Sequence, residues 1–426
     1  MVKIYIILLV VITGTINISQ AQFSVSGEFR PRAEYRHGFK NLPVAGQEEA
    51  FFIDQRTRLN LSYVDEKYDL KIVFQDVRTW GSQPQLADND GSLTTLHEAW
   101  ARVQLFDHVA VKLGRQEIVY DDHRIFGNVD WAQQARSHDA AIFIFKPKNM
   151  ELNLGLAYNQ DGPQLNTTFY TVANSYKTFQ YLWGNRKFGN IQISALLLNN
   201  GRQGGSPDDF KTYYSQTFGP RTGYNRGNFK VNFAVYKQTG EEPDASTDIN
   251  ATYIGLDLTY SVMENTSVTA GLEYLTGNNP TDIDNENNAF NPFYGTNHKF
   301  NGLMDYFYVG NHLGSVGLQD IFITLNQKMG NVSANLSTHF FSAAEAPYNI
   351  QNNETLDKYL GTEVDLFFTF NTGKDISLQG GYSHMLATSS MEAVKGGNKN
   401  ETSNWAWLML TIKPLFFTTE KDKDAN

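Results

Sequence analysis

The chain contains no cysteine. Disulfides and thiolate metal sites are therefore excluded. Long apolar runs are also missing. After residues 4–12 no stretch approaches the roughly 20 residues that a membrane-spanning helix needs. Sustained helical periodicity is scarce, and no segment repeats at a fixed interval, which argues against a solenoid. The formal charge is -10. That balance argues against general nucleic-acid binding, though not against a local basic wall. Arginine itself stops early. Of 14 arginines, 10 lie between residues 30 and 136, and none follows Arg226.

What is present begins with an export signal. Lys3 precedes the apolar run 4–12, and a polar stretch ends in Ser19-Gln20-Ala21. Short apolar run and small residues together read as a signal peptide over residues 1–21. Immediately after it stands FSVSGEFRPRAEYR, residues 23–36. Phe23, Val25, Phe29, Ala33 and Tyr35 share one parity. Glu28, Arg30, Arg32, Glu34 and Arg36 share the other. A period of two marks a strand with unlike faces. The same alternation recurs around Leu59 and Leu61, Leu70 and Ile72, Ala101 and Val103, Leu272 and Tyr274, and Leu378 and Tyr382.

The connections alternate too. Tight turns are expected at 65–67, 107–108, 147–149, 187–189, 329–331 and 371–374. Long polar loops are expected at 37–50, 81–94, 119–136, 160–176, 200–209, 239–250, 276–318, 342–358 and 387–402. Short turns on one side and long loops on the other are the pattern of an outer-membrane barrel. Residues 303–309 are strand-like, but counting them gives an odd number of strands. Left inside the loop 276–318, they give 18 strands with both chain ends in the periplasm. That loop is long enough to fold over or into the mouth. A soluble sandwich would have to tolerate charge on its strand faces by solvating them. A barrel turns those faces to a wet lumen and its apolar faces to lipid. The expectation is all-β: a transmembrane antiparallel β-barrel of 18 strands over residues 22–414, a monomer in the bacterial outer membrane. A charged, disordered tail follows at 415–426.

Specific motifs then appear. LGRQEIVYDDHRIFGNVDWAQQARSHDAAIFIF, residues 113–145, resembles the central signature of the bacterial alginate export porins. QRTRLNL (55–61), FQDVRTWG (74–81), HKFNGLMD (298–305) and LGTEVDL (360–366) resemble further blocks in the same order. The resemblance implies an 18-stranded outer-membrane channel with a loop narrowing the pore. Two positions depart from it. Asp121 stands where the resemblance leads one to expect glycine, and His123 where it leads one to expect glutamine. Both fall in the narrowing loop, so the solute need not be alginate.

Parity sends Arg30, Arg32, Arg36, Arg56, Arg58 and Arg102 into the lumen. Asp257, Glu273, Asp320, Glu363 and Asp365 point inward from later strands. The expected ring has a basic wall and an acidic wall, and such walls set ion selectivity in pores. Guanidiniums hold carboxylates through two parallel hydrogen bonds, which suits an anionic saccharide or a small carboxylated solute. The bland reading is a scaffold of lumen salt bridges, with Glu28, Glu34 and Glu98 neutralising the arginines. The resemblance adds Arg78, Arg115, Arg124 and Arg136, with Asp76, Asp130 and Asp139 as partners. Arg78 and Arg115 lie on the wrong parity, so a bulge or loop must re-aim them. Trp80 and Trp131 read as loop packing rather than sugar platforms.

No cofactor or metal is expected. LADNDG (86–91) and TDIDNEN (281–287) are rich in oxygen ligands but lack EF-hand spacing; they read as solvated outer loops. His339 and His384 have no serine motif beside them, so no enzyme is expected. Expected partners are outer-membrane lipid, the solute, and periplasmic export or uptake components. The alternative is a non-transporting barrel used for adhesion or assembly.

Overall fold

The computed structural model describes residues 21–86, 93–244, 246–282 and 285–419, without the side chain of residue 309. The expected signal peptide, nearly all of LADNDG, part of TDIDNEN and the end of the tail lie outside the described residues.

Strands dominate. They are β1 (Gln22–His37), β2 (Ala50–Val64), β3 (Tyr68–Thr79), β4 (Thr94–Phe106), β5 (Val109–Gln116) and β6 (His138–Phe145). Next come β7 (Met150–Tyr158), β8 (Thr178–Phe188), β9 (Ile191–Ser206), β10 (Asp209–Arg226), β11 (Phe229–Glu241) and β12 (Asp248–Met263). The circuit ends with β13 (Thr266–Leu275), β14 (Leu318–Met329), β15 (Val332–Ser342), β16 (Tyr359–Asn371), β17 (Ile376–Ala387) and β18 (Ser403–Ile412). Each pairs antiparallel with the next. β18 pairs with β1, so the 18-stranded sheet closes. Closure satisfies every edge, which lipid requires.

Parity decides the faces. Leu59, Ile72, Phe74, Leu113, Phe143, Leu197, Leu258 and Ile323 turn outward and stay exposed. Their neighbours turn in: Arg56, Gln75, Glu273 and Asp365 are buried. Pro31 opposes Gln55 on β2 with the register unbroken. Towards β18 the rungs run from Phe29–Ile412 to Arg32–Met409, so the missing N–H falls in a gap.

Three boundaries differ from expectation. The segment 200–209 is mostly strand, because β9 and β10 extend to a two-residue turn at Pro207-Asp208. Likewise β11 and β12 shorten the loop at 239–250 by pairing as far as Glu241 and Asp248. The sheet also runs past 414. Leu415–Thr418 resumes the pairing with β1 at Ser26, and the register shifts between Ser26 and Val25, so the expected tail begins as strand.

The remaining loops fill the mouth. Residues 303–309 are no stave of the sheet; Met304 and Tyr306 are fully buried. A short helix α1 (Ser389–Lys395) caps the β17–β18 loop. Its Thr388 side chain accepts from the Met391 N–H, a normal N-cap.

Candidate functional site

The lumen is built by two charged flanks and two loops folded between them. On β1 and β2 the inward residues face one another across the ladder: Glu28 opposite Arg58, Arg30 opposite Arg56, Arg32 opposite Asp54. Arg56 has no exposed side-chain surface and lies 2.9 Å from Asp130, with Glu28 on the same nitrogen. Arg32 pairs with Glu34 at 2.8 Å and Asp54 at 3.2 Å. Arg36 pairs with the other oxygen of Glu34 at 2.8 Å. Arg58 donates to Gln75 at 2.7 Å and stands 3.8 Å from Asp130.

These guanidiniums also catch a loop. Residues 117–137 enter the barrel from β5 and return to β6. Arg32 donates to the Trp131 carbonyl at 2.6 Å, and Arg30 to the Gln133 side chain at 3.0 Å. Gln75 donates to the Gln134 carbonyl at 3.0 Å. Burial alone would raise the pKa of Asp130. Arg56, Arg30 and Arg58 outweigh that and hold its carboxyl below the usual range. Ser137, His97 and Glu117 form a hydrogen-bonded chain that ties the ends of the loop to β4.

The acidic flank catches the second loop, residues 276–317. Glu273 on β13 pairs with Arg124 at 2.9 Å and accepts from Asn301 at 2.8 Å. Glu363 on β16 accepts from the Met304 N–H at 2.8 Å. Asp320 on β14 meets His339 at 2.9 Å, and His339 lies 3.7 Å from Asp365. Gly302 lies against Glu363. A Cβ there would sit 2.6 Å from its Oε1, and its φ of +81° favours glycine independently.

The loops meet in mid-lumen. Gly127 N–H donates to the Tyr294 carbonyl at 2.8 Å, and Thr296 N–H to the His123 carbonyl at 2.9 Å. Trp131 stacks on His298 at 4.5 Å with Arg32 over its ring at 4.0 Å, which is loop packing as expected. Asp121 and His123 both adopt positive φ, 51° and 73°. The conformation that glycine favours is thus kept by an aspartate, whose carboxylate accepts from Trp183 at 3.0 Å.

Each expected residue can be placed. Arg30, Arg32, Arg56 and Arg58 face inward but are spent largely on acids and on the loop. Arg36 and Arg102 also face inward, Arg102 beside Asp69 at 3.0 Å. Arg124 is buried between the loops, and Arg136 donates to the Gly295 carbonyl at 3.1 Å. Asp257 faces the lumen and takes no hydrogen bond or ion pair among the described residues. Four assignments are corrected. Arg78 pairs with Asp76, and Arg115 with Asp139, as expected, but both pairs sit on the outer parity. Neither a bulge nor a loop re-aims them: the register shift opposite Val73 and Phe74 falls on β4 and leaves β3 unturned. Sequence reasoning also missed Lys112, whose ammonium lies 4.0 Å from the Trp100 ring, and the loop-facing role of Gln133 and Asn301. Inward parity on β5 was a signal for Lys112; a backbone acceptor offers none.

Solved structures of the same architecture include Pseudomonas aeruginosa OccK9 (OpdG), with a TM-score of 0.62 and 13% identity over 92% of this chain and 98% of that one. P. aeruginosa OccK2 (OpdF), solved in complex with glucuronate, gives 0.60 and 10% over 93% and 98%. P. aeruginosa OpdK with vanillate gives 0.58 and 10% over 92% and 98%. At these identities the likeness is one of fold. No curated protein matches the chain. The profile of the alginate export family matches residues 21–402. The chain is an outer-membrane porin-type barrel and belongs to the alginate export family.

Proposed function

We propose that the barrel passes an anionic saccharide or a small carboxylated solute across the outer membrane, as a monomer and without a catalytic step. One observation carries the reading: the basic flank keeps charge to spare. Lys112 has the Trp100 ring as its close contact and no ion pair among the described residues. Arg58 keeps one terminal nitrogen without a hydrogen-bond partner. Cations left over inside a wet lumen attract anions, and several weak stations pass a solute better than one strong one. Two structures of the same fold were solved with glucuronate and with vanillate, both carboxylates, which supports the class without naming the solute. Periplasmic export or uptake components would deliver or collect it.

Single-channel conductance in a planar bilayer under a salt gradient tests this. An anion-leaning reversal potential, with block by an oligouronate, is expected. A cation-leaning potential indifferent to the sugar contradicts it. Absence of conductance, with the loops released as well, favours a barrel used for adhesion or assembly.

A further inference from the structure

Beneath the second inserted loop lies a cavity of about 470 Å³. Its wall breaks the polar pattern of the lumen. Phe322 and Phe367 occupy inward positions on β14 and β16, where the alternate residues are Asp320 and Thr324, and Asp365 and Thr369. Phe300 joins them from the loop. All three are half-buried. Part of each ring is used, and the tip of Phe322 also fills the space over Gly271. Phe322 stacks on His339 at 5.4 Å, Phe367 on Trp407 at 5.8 Å, and the Arg124 guanidinium lies 4.5 Å from Phe300. The remaining ring surface fronts the cavity, where contact with water is unfavourable.

Hydroxyls and amides surround the rings. Thr324 and Ser337 share a hydrogen bond of 2.8 Å, and Ser337 donates to Asn335 at 3.2 Å. Asp257 lines the same space with its carboxylate unpaired among the described residues. Glu273 and Asp365 also line it, but Arg124 and His339 already face them. Lys299, whose ammonium donates to the Asp122 carbonyl at 2.9 Å, stands with Asp257 at the border with an adjoining cavity of about 500 Å³, which also holds Arg221 and Lys230. Another neighbouring cavity shares Trp131, Phe367 and Trp407 and reaches the short turn at 371–375. The space therefore lies beside one that reaches the periplasmic turn.

A pyranose ring has the matching chemistry. Its C–H face packs on aromatic carbon, its hydroxyls donate to a carboxylate that takes no direct hydrogen bond among the described residues, and the site is large enough for it. A flat aryl carboxylate would leave Asp257 and the hydroxyls unused. We propose that this cavity is a pyranose-binding station loaded from the periplasm, with Lys299 placed to meet a ring carboxylate. The inference rests on the channel reading above and adds a position and a ring chemistry to it.

Titration calorimetry of the whole refolded barrel in detergent tests it, with cellobiose, a diglucuronate of the same linkage, and benzoate. Both sugars should bind, the diuronate more tightly. Phe322→Ala and Phe367→Ala should weaken both at least tenfold, and Asp257→Ala likewise. Lys299→Gln, which keeps an N–H donor for the Asp122 carbonyl, should weaken only the diuronate, three- to tenfold. Benzoate binding as tightly as the diuronate, with Asp257→Ala without effect, overturns the proposal. So does a conducting barrel that binds neither sugar, and that result leaves the channel reading standing. A barrel that binds both sugars but never conducts keeps the station and overturns the channel.

Discussion

On the β1–β2 flank, guanidiniums reach the carbonyl oxygens of one inserted loop; on the β13–β16 flank, carboxylates receive the N–H groups of the other. The difference lies in where each flank finds its counter-charge. The arginines of β1 and β2 have Glu28, Glu34 and Asp54 on the same two strands. Those three acids offset most of the charge of Arg30, Arg32, Arg36, Arg56 and Arg58 before any loop arrives, and the set stays net positive. The acids of β13, β14 and β16 have His339 on the neighbouring strand and Arg124 from the first loop. Tyr253 of β12 donates to Glu273 at 2.9 Å, and Asn301 and the Met304 N–H add bonds from the second loop. One flank is scaffold first and latch second. The other depends on the loops that it holds.

Breaking the basic flank should therefore cost barrel stability. Arg56→Ala removes the closest partner of buried Glu28, leaving it Arg30 and Lys413 at 3.7 Å, and removes one partner of Asp130. Loss of one member of a buried pair costs about 3–5 kcal/mol. Urea unfolding should show that loss, and a change below about 1 kcal/mol would break the comparison. Breaking the acidic flank should act on the loop instead. Glu363→Ala removes a charge-assisted bond to the Met304 N–H, about 1.5–3 kcal/mol. Gly302→Ala drives a Cβ into the same carboxylate. Limited proteolysis should cut within residues 276–317 in both variants while the barrel midpoint stays near wild type.

The outward pairs sharpen the contrast. Arg115 and Asp139 keep 42% and 61% of their side-chain surface exposed. An exposed pair contributes roughly 0–1 kcal/mol. The double variant Arg115→Gln, Asp139→Asn should match wild type in stability and in ion selectivity; a shifted reversal potential would put the pair back in the pore.

The smallest effect concerns pH. Asp130 is held below the ordinary value of 3.8. Its contribution is fully present above that value and lost as pH falls through the lower, folded one. Protease resistance of residues 117–137 should therefore be flat from pH 7 to pH 5 and fall only in stronger acid. Loss already at about pH 6 would mean that another group holds the loop.

Much of this was legible in residues 23–36 alone, because parity in a two-faced strand is a local property. The count of 18 was legible from loop alternation, and the inward acids Glu273, Asp320, Glu363 and Asp365 from the same parity. The targets of the charges were not. Arg32 spends a nitrogen on the Trp131 carbonyl, and Glu363 receives the Met304 N–H; backbone groups are identical at every residue and leave no mark in a sequence. Arg78 and Arg115 were misplaced because the motif resemblance outweighed their parity. The strands at 201–206 were hidden by GRQGGS, whose glycines read as a loop.

Single-channel conductance of Glu363→Ala beside wild type tests the central claim most directly, that the lumen's charges hold two loops across the pore. Release of the 276–317 loop predicts a several-fold rise in conductance with the barrel still folded. Equal conductance in the two proteins, with the loop demonstrably cut loose, would contradict it.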